Sequence, residues 1–162
     1  MALKADRYED STEIGYFYAA GTATRGGVAC LDLLSASGAA MDQGDNTVSY
    51  QTAAATDVPV GILMNDVVNK DLSRTHLNFY KDEVQKGGKV TILNRGWVVT
   101  SNVDGSPSPG DMAYASAAVA GNIANTAANA QASGNLAIGR FMSAKDSDGY
   151  AKVYVNLPNH GA

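Results

Sequence analysis

Val60-Gly61-Ile62-Leu63-Met64 returns about half a chain later as Ile138-Gly139-Arg140-Phe141-Met142. Two further phrases return at a similar distance: Gly15-Tyr16-Phe17-Tyr18 as Gly96-Trp97-Val98-Val99, and Arg25-Gly26-Gly27-Val28-Ala29-Cys30-Leu31 as Pro109-Gly110-Asp111-Met112-Ala113-Tyr114. Each phrase is a short apolar run beside a glycine, which is typical of half-buried strands that end at turns. A repeat of about half the chain indicates two related modules. The sequence therefore predicts a mostly β protein that works by presenting surface.

Outward from these phrases, the chain divides into three parts. Residues 1–13 are mixed in charge and lack a hydrophobic period, so they read as an extended N-terminal arm that is ordered only where something holds it. Residues 14–86 form the first β module with a connecting segment, and Gly87-Gly88 opens the second module, residues 87–162. We predict that the two small modules, barrel-like or sandwich-like, share one compact unit with little helix.

The pattern of alternating and apolar runs places the strands. We expect them at residues 14–20, 27–34, 47–52, 58–68, 75–80, 89–93, 97–103, 136–143 and 150–157. Turns are predicted at Asn94-Arg95-Gly96, at residues 104–111 and at the hairpin Asp146-Ser147-Asp148-Gly149. Residues 35–46 read as a surface loop. The alanine-rich residues 113–134 fit helix or loop, and their asparagines and glycines favour a loop with at most one helical turn.

Composition excludes several classes of function. The chain has 162 residues, a net charge of −4 and 12 Lys and Arg residues that are scattered singly, so direct nucleic-acid binding is not expected. The N-terminal sequence lacks the apolar core of a signal peptide, and no apolar run is long enough for a membrane span. We expect a soluble protein that is made in a cytoplasm and has no membrane partner. Only 17% of residues are charged, which fits either a surface covered by partners or an ordinary β protein.

The residue types that carry catalysis are sparse. The two histidines are His76, at an alternate position of a predicted strand, and His160, in the C-terminal tail. One cysteine, Cys30, lies in an apolar run and is expected to be a buried, inert thiol. The Asp146–Gly149 segment begins like a calcium loop, but Leu157 occupies the position where such a loop carries glutamate. We predict no catalytic residue, no metal site, no cofactor and no enzyme activity.

Two residues are candidates for contacts between subunits. Trp97 is predicted to lie in the core, with a subunit contact as the alternative. Arg74 is the second candidate, because arginine is enriched at protein interfaces. Like Arg25, Arg95 and Arg140, it is placed in or near a turn, where exposure to solvent is the simplest expectation.

Much of the chain from about residue 24 resembles the capsid decoration, or cement, proteins of tailed bacteriophages. The resemblance is carried by Val58-Pro59-Val60-Gly61-Ile62-Leu63-Met64-Asn65-Asp66-Val67-Val68, Asp71-Leu72-Ser73-Arg74-Thr75-His76-Leu77-Asn78-Phe79, Lys81-Asp82-Glu83-Val84-Gln85 and Gly87-Gly88-Lys89-Val90-Thr91. It continues through Gly96-Trp97-Val98-Val99-Thr100, the Gly-Asp-x-Ala-Tyr segment at residues 110–114, Ile138-Gly139-Arg140-Phe141 and Asp148-Gly149-Tyr150-Ala151-Lys152-Val153.

The resemblance implies a non-enzymatic virion protein on the outer surface of the phage head. Such a protein binds the major capsid protein, commonly as a homotrimer, and stabilises the shell by bridging neighbouring capsomers. The arm leads straight into a predicted strand, so it is placed to add a strand to a capsid edge, with Lys4, Arg7 and Tyr8 as specific contacts. The alternative for the arm is a disordered terminus. Alternative functions are a tail-tube subunit, which assembles into rings and tubes by itself, the base of a head fibre, and a carbohydrate-binding β module, which needs exposed aromatic rings or a metal.

Overall fold

The computed structural model describes residues 2–19, 21–31, 46–50, 58–69, 83–126 and 137–157. Within these ranges the regular elements are all strands, which confirms the prediction of a mostly β protein. They are β1 (Leu3–Tyr18), β2 (Val28–Leu31), β3 (Thr47–Tyr50), β4 (Val58–Leu63), β5 (Asp66–Val68), β6 (Glu83–Gln85), β7 (Lys89–Thr100), β8 (Met112–Ala115), β9 (Ile123–Ala124), β10 (Ala137–Phe141) and β11 (Ala151–Asn156).

Five of the strands close into a barrel. They follow the order β1-β3-β2-β4-β7, and β7 pairs back onto β1. The β1–β3 pair is parallel, whereas the other barrel pairs are antiparallel. A second row of strands, β11-β10-β8-β9, continues from β7, and β5 and β6 form a separate parallel pair.

Strand β7 belongs to both halves of the fold. Its residues Ile92 and Leu93 pair with β4, while Arg95 to Thr100 pair with β11 along the same edge. Its other edge is covered by β1, from Leu3 opposite Thr100 to Phe17 opposite Lys89. The predicted second module therefore supplies the strand that closes the barrel of the first. The division of the chain at residue 87 stays a prediction.

The sheet is buried on both faces where the two halves meet. Val28 and Cys30 of β2 face one core cluster with Phe141 and Val153, while Ala29 between them faces a second cluster with Tyr18. Strand β4 divides in the same way, with Ile62 in the first cluster and Leu63 in the second. Near-continuous apolar runs are what strands buried on both faces require. The first cluster fixes the second row of strands against the barrel, so the opposite face of that row is left to solvent.

Glycines of the repeated phrases lie where strands approach closely. A side chain at Gly61 would meet the Leu93 carbonyl, one at Gly96 the Tyr8 carbonyl, and one at Gly139 the Tyr154 carbonyl. Glycine inside a strand often marks such a close approach of two backbones. Gly15, in contrast, has open space around its Cα, so the counterparts Gly15 and Gly96 have different surroundings.

The predicted turn at Asn94-Arg95-Gly96 is wrong, because β7 runs through these residues as one strand. Gly96 has a φ of 144°, and the pairing with β1 is irregular beside it, between Glu9 and Thr12. A local irregularity thus replaces a reversal of the chain. Glycine beside polar residues is typical both of turns and of irregular positions within strands, so the sequence pattern does not distinguish the two.

The predicted loop at residues 113–134 is also partly wrong, since β8 and β9 lie within it or at its start. Ile123 and Ala113 are buried in the core, and tertiary packing there outweighs the weak local pattern. The predicted strand at residues 75–80 lies outside the described residues, as does nearly all of the predicted loop at 35–46.

Two local predictions are confirmed. Cys30 is fully buried in the core. The Asp146–Gly149 segment is the hairpin turn between β10 and β11, with the Gly149 amide donating to the Asp146 carbonyl at 3.0 Å. The Asp146 carboxylate accepts hydrogen bonds from the amides of Asp148 and Tyr150, so its oxygens stabilise the turn itself.

Candidate binding surface

One row of large side chains crosses five strands on the solvent side of the sheet. Directly opposed pairs link Met112 to Arg140, Arg140 to Tyr154, Tyr154 to Trp97, and Trp97 to Tyr8. Opposed residues on neighbouring strands project from the same face of a sheet. Their inward neighbours Val98, Val153 and Val155 are buried, which fixes the row on the outer side.

A second, shorter row lies beside the first. The Met142 amide donates to the Lys152 carbonyl at 2.8 Å, and Lys152 is opposite Val99. Met142 is 54% exposed, and Lys152 and Val99 are half-buried. We call the two rows together with Arg95 the outer face. Its members are Tyr8, Arg95, Trp97, Val99, Met112, Arg140, Met142, Lys152 and Tyr154.

Cations and rings are in direct contact on the outer face. The Lys152 ammonium lies 3.4 Å from the centroid of the Trp97 ring. Tryptophan is the aromatic side chain that attracts a cation most strongly in such cation–π contacts. Arg95 Nε lies 3.1 Å from an Asp10 carboxylate oxygen. A hydrogen bond with the Tyr154 side chain and the charge of Asp10 raise the pKa of the Arg95 guanidinium above its usual value. Arg140 Nη2 lies 3.5 Å from Met112 Sδ.

The predicted contact residues of the arm fall in different places. The Lys4 ammonium donates to Asp146 Oδ2 at 2.8 Å and lies 4.3 Å from the Tyr150 ring centroid, so it binds the arm to the β10–β11 hairpin. This hydrogen bond raises the pKa of Lys4 and lowers that of Asp146. Arg7 pairs with Glu9 of its own strand. Tyr8 is 54% exposed and is the arm's member of the outer face.

Strand β1, which contains the arm, is fixed to the body at both ends. Leu3 is 2% exposed and belongs to the first core cluster, and the Ala2 carbonyl accepts a hydrogen bond from the Ser101 amide at 2.9 Å. Tyr18, at the other end of β1, is buried in the second cluster. Between them, residues 5–15 are exposed apart from the half-buried Arg7. The partner that holds the arm in this structure is therefore strand β7.

The candidate subunit contacts are only partly described. Trp97 is half-buried on the outer face rather than enclosed in the core, because its neighbour Val98 takes the inward position. Arg74 lies outside the described residues. Arg95 lies inside β7 and Arg140 lies next to the last residue of β10, and both are exposed, as expected for positions in or near turns.

Sequence reasoning did not select Arg140, Lys152, Tyr154 or the two exposed methionines. For β11 the sequence does indicate part of the outer face, because the alternation of residues 150–157 puts Lys152 and Tyr154 on one side of a strand. The positions that face each other on neighbouring strands depend on register, which no pattern within a single strand gives.

The described residues hold no group of three or more His, Cys, Asp or Glu side chains placed to bind a metal ion. His76 and His160 lie outside those residues. No helix that could cross a bilayer occurs in the described part of the chain.

A groove of about 650 Å³ lies beside β5, lined by Ala23, Tyr50, Asp66 and Glu83 among others. The Tyr50 hydroxyl donates to the Thr24 carbonyl, and burial, followed by the neighbouring Tyr18, raises its pKa well above the usual range. A neutral phenol held in this way stabilises the groove wall. Its lining residues Tyr50, Asn69 and Glu83 are next in sequence to residues 51–57 and 70–82, which lie outside the described residues, and no ligand is inferred for the groove.

Comparison with known proteins assigns the chain to a family. A family model described as structural cement protein (E217 gp24/Pam3 gp6) matches residues 5–156. Comparison with curated proteins finds no match. The resemblance to phage capsid decoration proteins is thereby confirmed, and a structural family points to a non-enzymatic role. Since the match covers nearly all of the sequence, the chain belongs to the structural cement protein family and has a structural, capsid-stabilising role in the phage virion.

Proposed function

We propose that the protein binds the major capsid protein on the outer surface of the head as a homotrimer and bridges neighbouring capsomers. Synthesis in the cytoplasm of the bacterial host is part of the proposal. The observation that carries it is the family match over residues 5–156. A protein that binds the assembled shell but not its separated subunits stabilises the shell by mass action, and the effect is repeated at every site of the lattice.

The proposal is supported by a strand edge of β1 that is available for pairing with another chain. Among the described strands, the edge of β1 that faces away from β7 has no partner before Phe17, where β3 begins. Such an edge can accept a strand from another chain through main-chain hydrogen bonds. Tyr8 and Ile14 are exposed on this strand, so apolar contact is available beside the main-chain contact. Lys4, Arg7 and Tyr8 remain the proposed side-chain contacts of the arm.

Adding the protein to heads that lack it is expected to raise the temperature at which the heads open and release DNA. At a free concentration of one hundred times Kd, each occupied site stabilises the shell by about 2.7 kcal/mol. The release of DNA on heating is followed with a DNA-binding dye, at increasing protein concentration. An opening temperature that stays constant up to saturating protein would contradict the capsid-stabilising function.

The isolated protein is expected to have three times the mass of the 16.8 kDa chain. Closed symmetric oligomers are the usual form of self-associating chains. Light scattering at several concentrations measures the mass directly. A mass of one chain at every concentration, with single copies on the head, would rule out the trimer, and a dimer would change the symmetry but not the function.

A further inference from the structure

The outer face has the composition of a protein interface rather than of ordinary surface. Tryptophan, tyrosine, methionine and arginine are enriched at interface centres, whereas lysine and acidic residues are depleted. Seven of the nine members of the outer face are Trp, Tyr, Met or Arg; the other two are Val99 and Lys152, and the Lys152 ammonium lies over the Trp97 ring. Tyr8 and Met142 are each 54% exposed, so large apolar groups are available to a partner.

The charge of the outer face is opposite to that of the chain. Its nine members include three cations, Arg95, Arg140 and Lys152, and no carboxylate, and Asp10 lies at its margin. The whole chain has a net charge of −4. Asp10 is already paired with Arg95. Within the described residues, neither Arg140 nor Lys152 has a carboxylate within salt-bridge distance.

Three kinds of partner could bind the outer face: a second copy of this chain, a sugar, or a segment of another protein. Two copies that met through this same face in a two-fold dimer would bring Arg140 and Lys152 of one copy close to those of the other, and like charges across an interface are unfavourable. A trimer contact joins this face to a different face of the next copy, and the oligomeric mass in the test below distinguishes that case. A neutral sugar could stack on the exposed ring of Tyr8, but it would leave the two cations Arg140 and Lys152 without a charged partner. A protein segment with carboxylates beside apolar side chains complements both the two cations and the exposed rings.

We propose that the outer face is the surface seated on the capsid, and that it receives an acidic segment of the capsid protein. The inference rests on the proposed function, since it names the surface and the partner chemistry of the same attachment. Arg140 and Lys152 bind the carboxylates of that segment. Tyr8, Trp97 and Met142 contact its apolar side chains. The face is continuous with the exposed arm through Tyr8, so arm and face form one attachment surface.

The test is a double charge reversal with a matched control. In the full-length protein, Arg140→Glu with Lys152→Glu changes the charge of the outer face, whereas Lys86→Glu with Lys89→Glu makes the same change in net charge at exposed positions elsewhere. Binding to heads that lack the protein is measured by co-sedimentation at low and high salt. We expect the outer-face variant to bind at least tenfold more weakly at low salt, and the control variant to bind within about twofold of the unmodified protein.

A charge-preserving variant and two further measurements make the result specific. Arg140→Lys with Lys152→Arg keeps both charges and is expected to retain binding. Circular dichroism checks that each variant is folded, and light scattering gives its mass. Equal binding by the two reversal variants would overturn the inference alone. A loss of oligomeric mass in the outer-face variant would also overturn it, by showing that the face joins copies of this chain. Failure of the unmodified protein to bind heads would overturn the proposed function together with the inference.

Discussion

Gly139→Ala is expected to lower the free energy of unfolding by about 3 kcal/mol or more. A Cβ at this position falls on the carbonyl oxygen of Tyr154 and lies 3.0 Å from the Cα of Val155. Both obstacles are backbone atoms of β11, the direct partner of β10 at this point. Strand β11 cannot move away, because its other edge is paired with β7 over six residues, from Ala151 to Asn156.

The matched control for this substitution is Gly15→Ala. Gly15 also lies in a strand, but nothing is within 4 Å of an added Cβ. Its effect is expected to stay within about 0.5 kcal/mol. Urea unfolding at one fixed protein concentration measures both variants, and thermal midpoints should fall by roughly 6–12 °C for the Gly139 variant alone. Equal urea midpoints for Gly139→Ala and the unmodified protein would show that β10 and β11 are not packed as described.

Leu3→Ala is expected to lower the free energy of unfolding by about 2–5 kcal/mol, the range for truncating a buried leucine. Leu3 is only 2% exposed, and its Cβ lies 3.1 Å from the position that a Cβ on Gly26 would occupy. Close packing on this side leaves little room for the surroundings to collapse into the space vacated by the leucine. Urea unfolding again provides the measurement.

Ile14→Ala is the control in the same strand, because Ile14 is also a large aliphatic residue but is 68% exposed. We expect its effect on stability to be below about 0.5 kcal/mol. Amide hydrogen exchange gives an independent readout, since release of the arm from β7 should increase exchange at the β7 amides that pair with it. If the Leu3 and Ile14 variants were equally stable, the arm would not be held by its first residues.

The buried Leu3 changes what truncation of the arm should do. If residues 1–13 were only a terminal arm, deleting residues 2–12 would leave the folded body intact and weaken the attachment to heads. Leu3 belongs to the core and β1 covers one edge of β7, so we expect the deletion to lower stability as well. Tyr8→Ala is therefore the cleaner test of the arm's contact with the capsid, because Tyr8 is exposed and lies away from the core.

Much of the fold could be read from local patterns. Alternation and glycine-bounded runs predicted strands that overlap β2, β3, β4, β10 and β11, and the Asp146–Gly149 segment predicted their last hairpin. Apolar neighbours on both sides predicted the burial of Cys30. These features follow from residues adjacent in sequence, and the resemblance to a known family likewise depends on the sequence alone. The predicted turn at residues 94–96 failed because a glycine with a positive φ serves an irregular strand as well as it serves a turn.

The outer face was decided by tertiary structure. Tyr8, Trp97 and Tyr154 come from three distant parts of the chain, and they meet only because β1 and β11 pair with opposite edges of β7 in one particular register. The alternation within each strand determines which residues share a side, but not which strand lies beside it or at what offset. A shift of one residue in either pairing would turn the opposing side chains to the other face of the sheet. That choice is made by burial of Leu3, Val98 and Val153 in a common core, a contact between residues that the sequence keeps far apart.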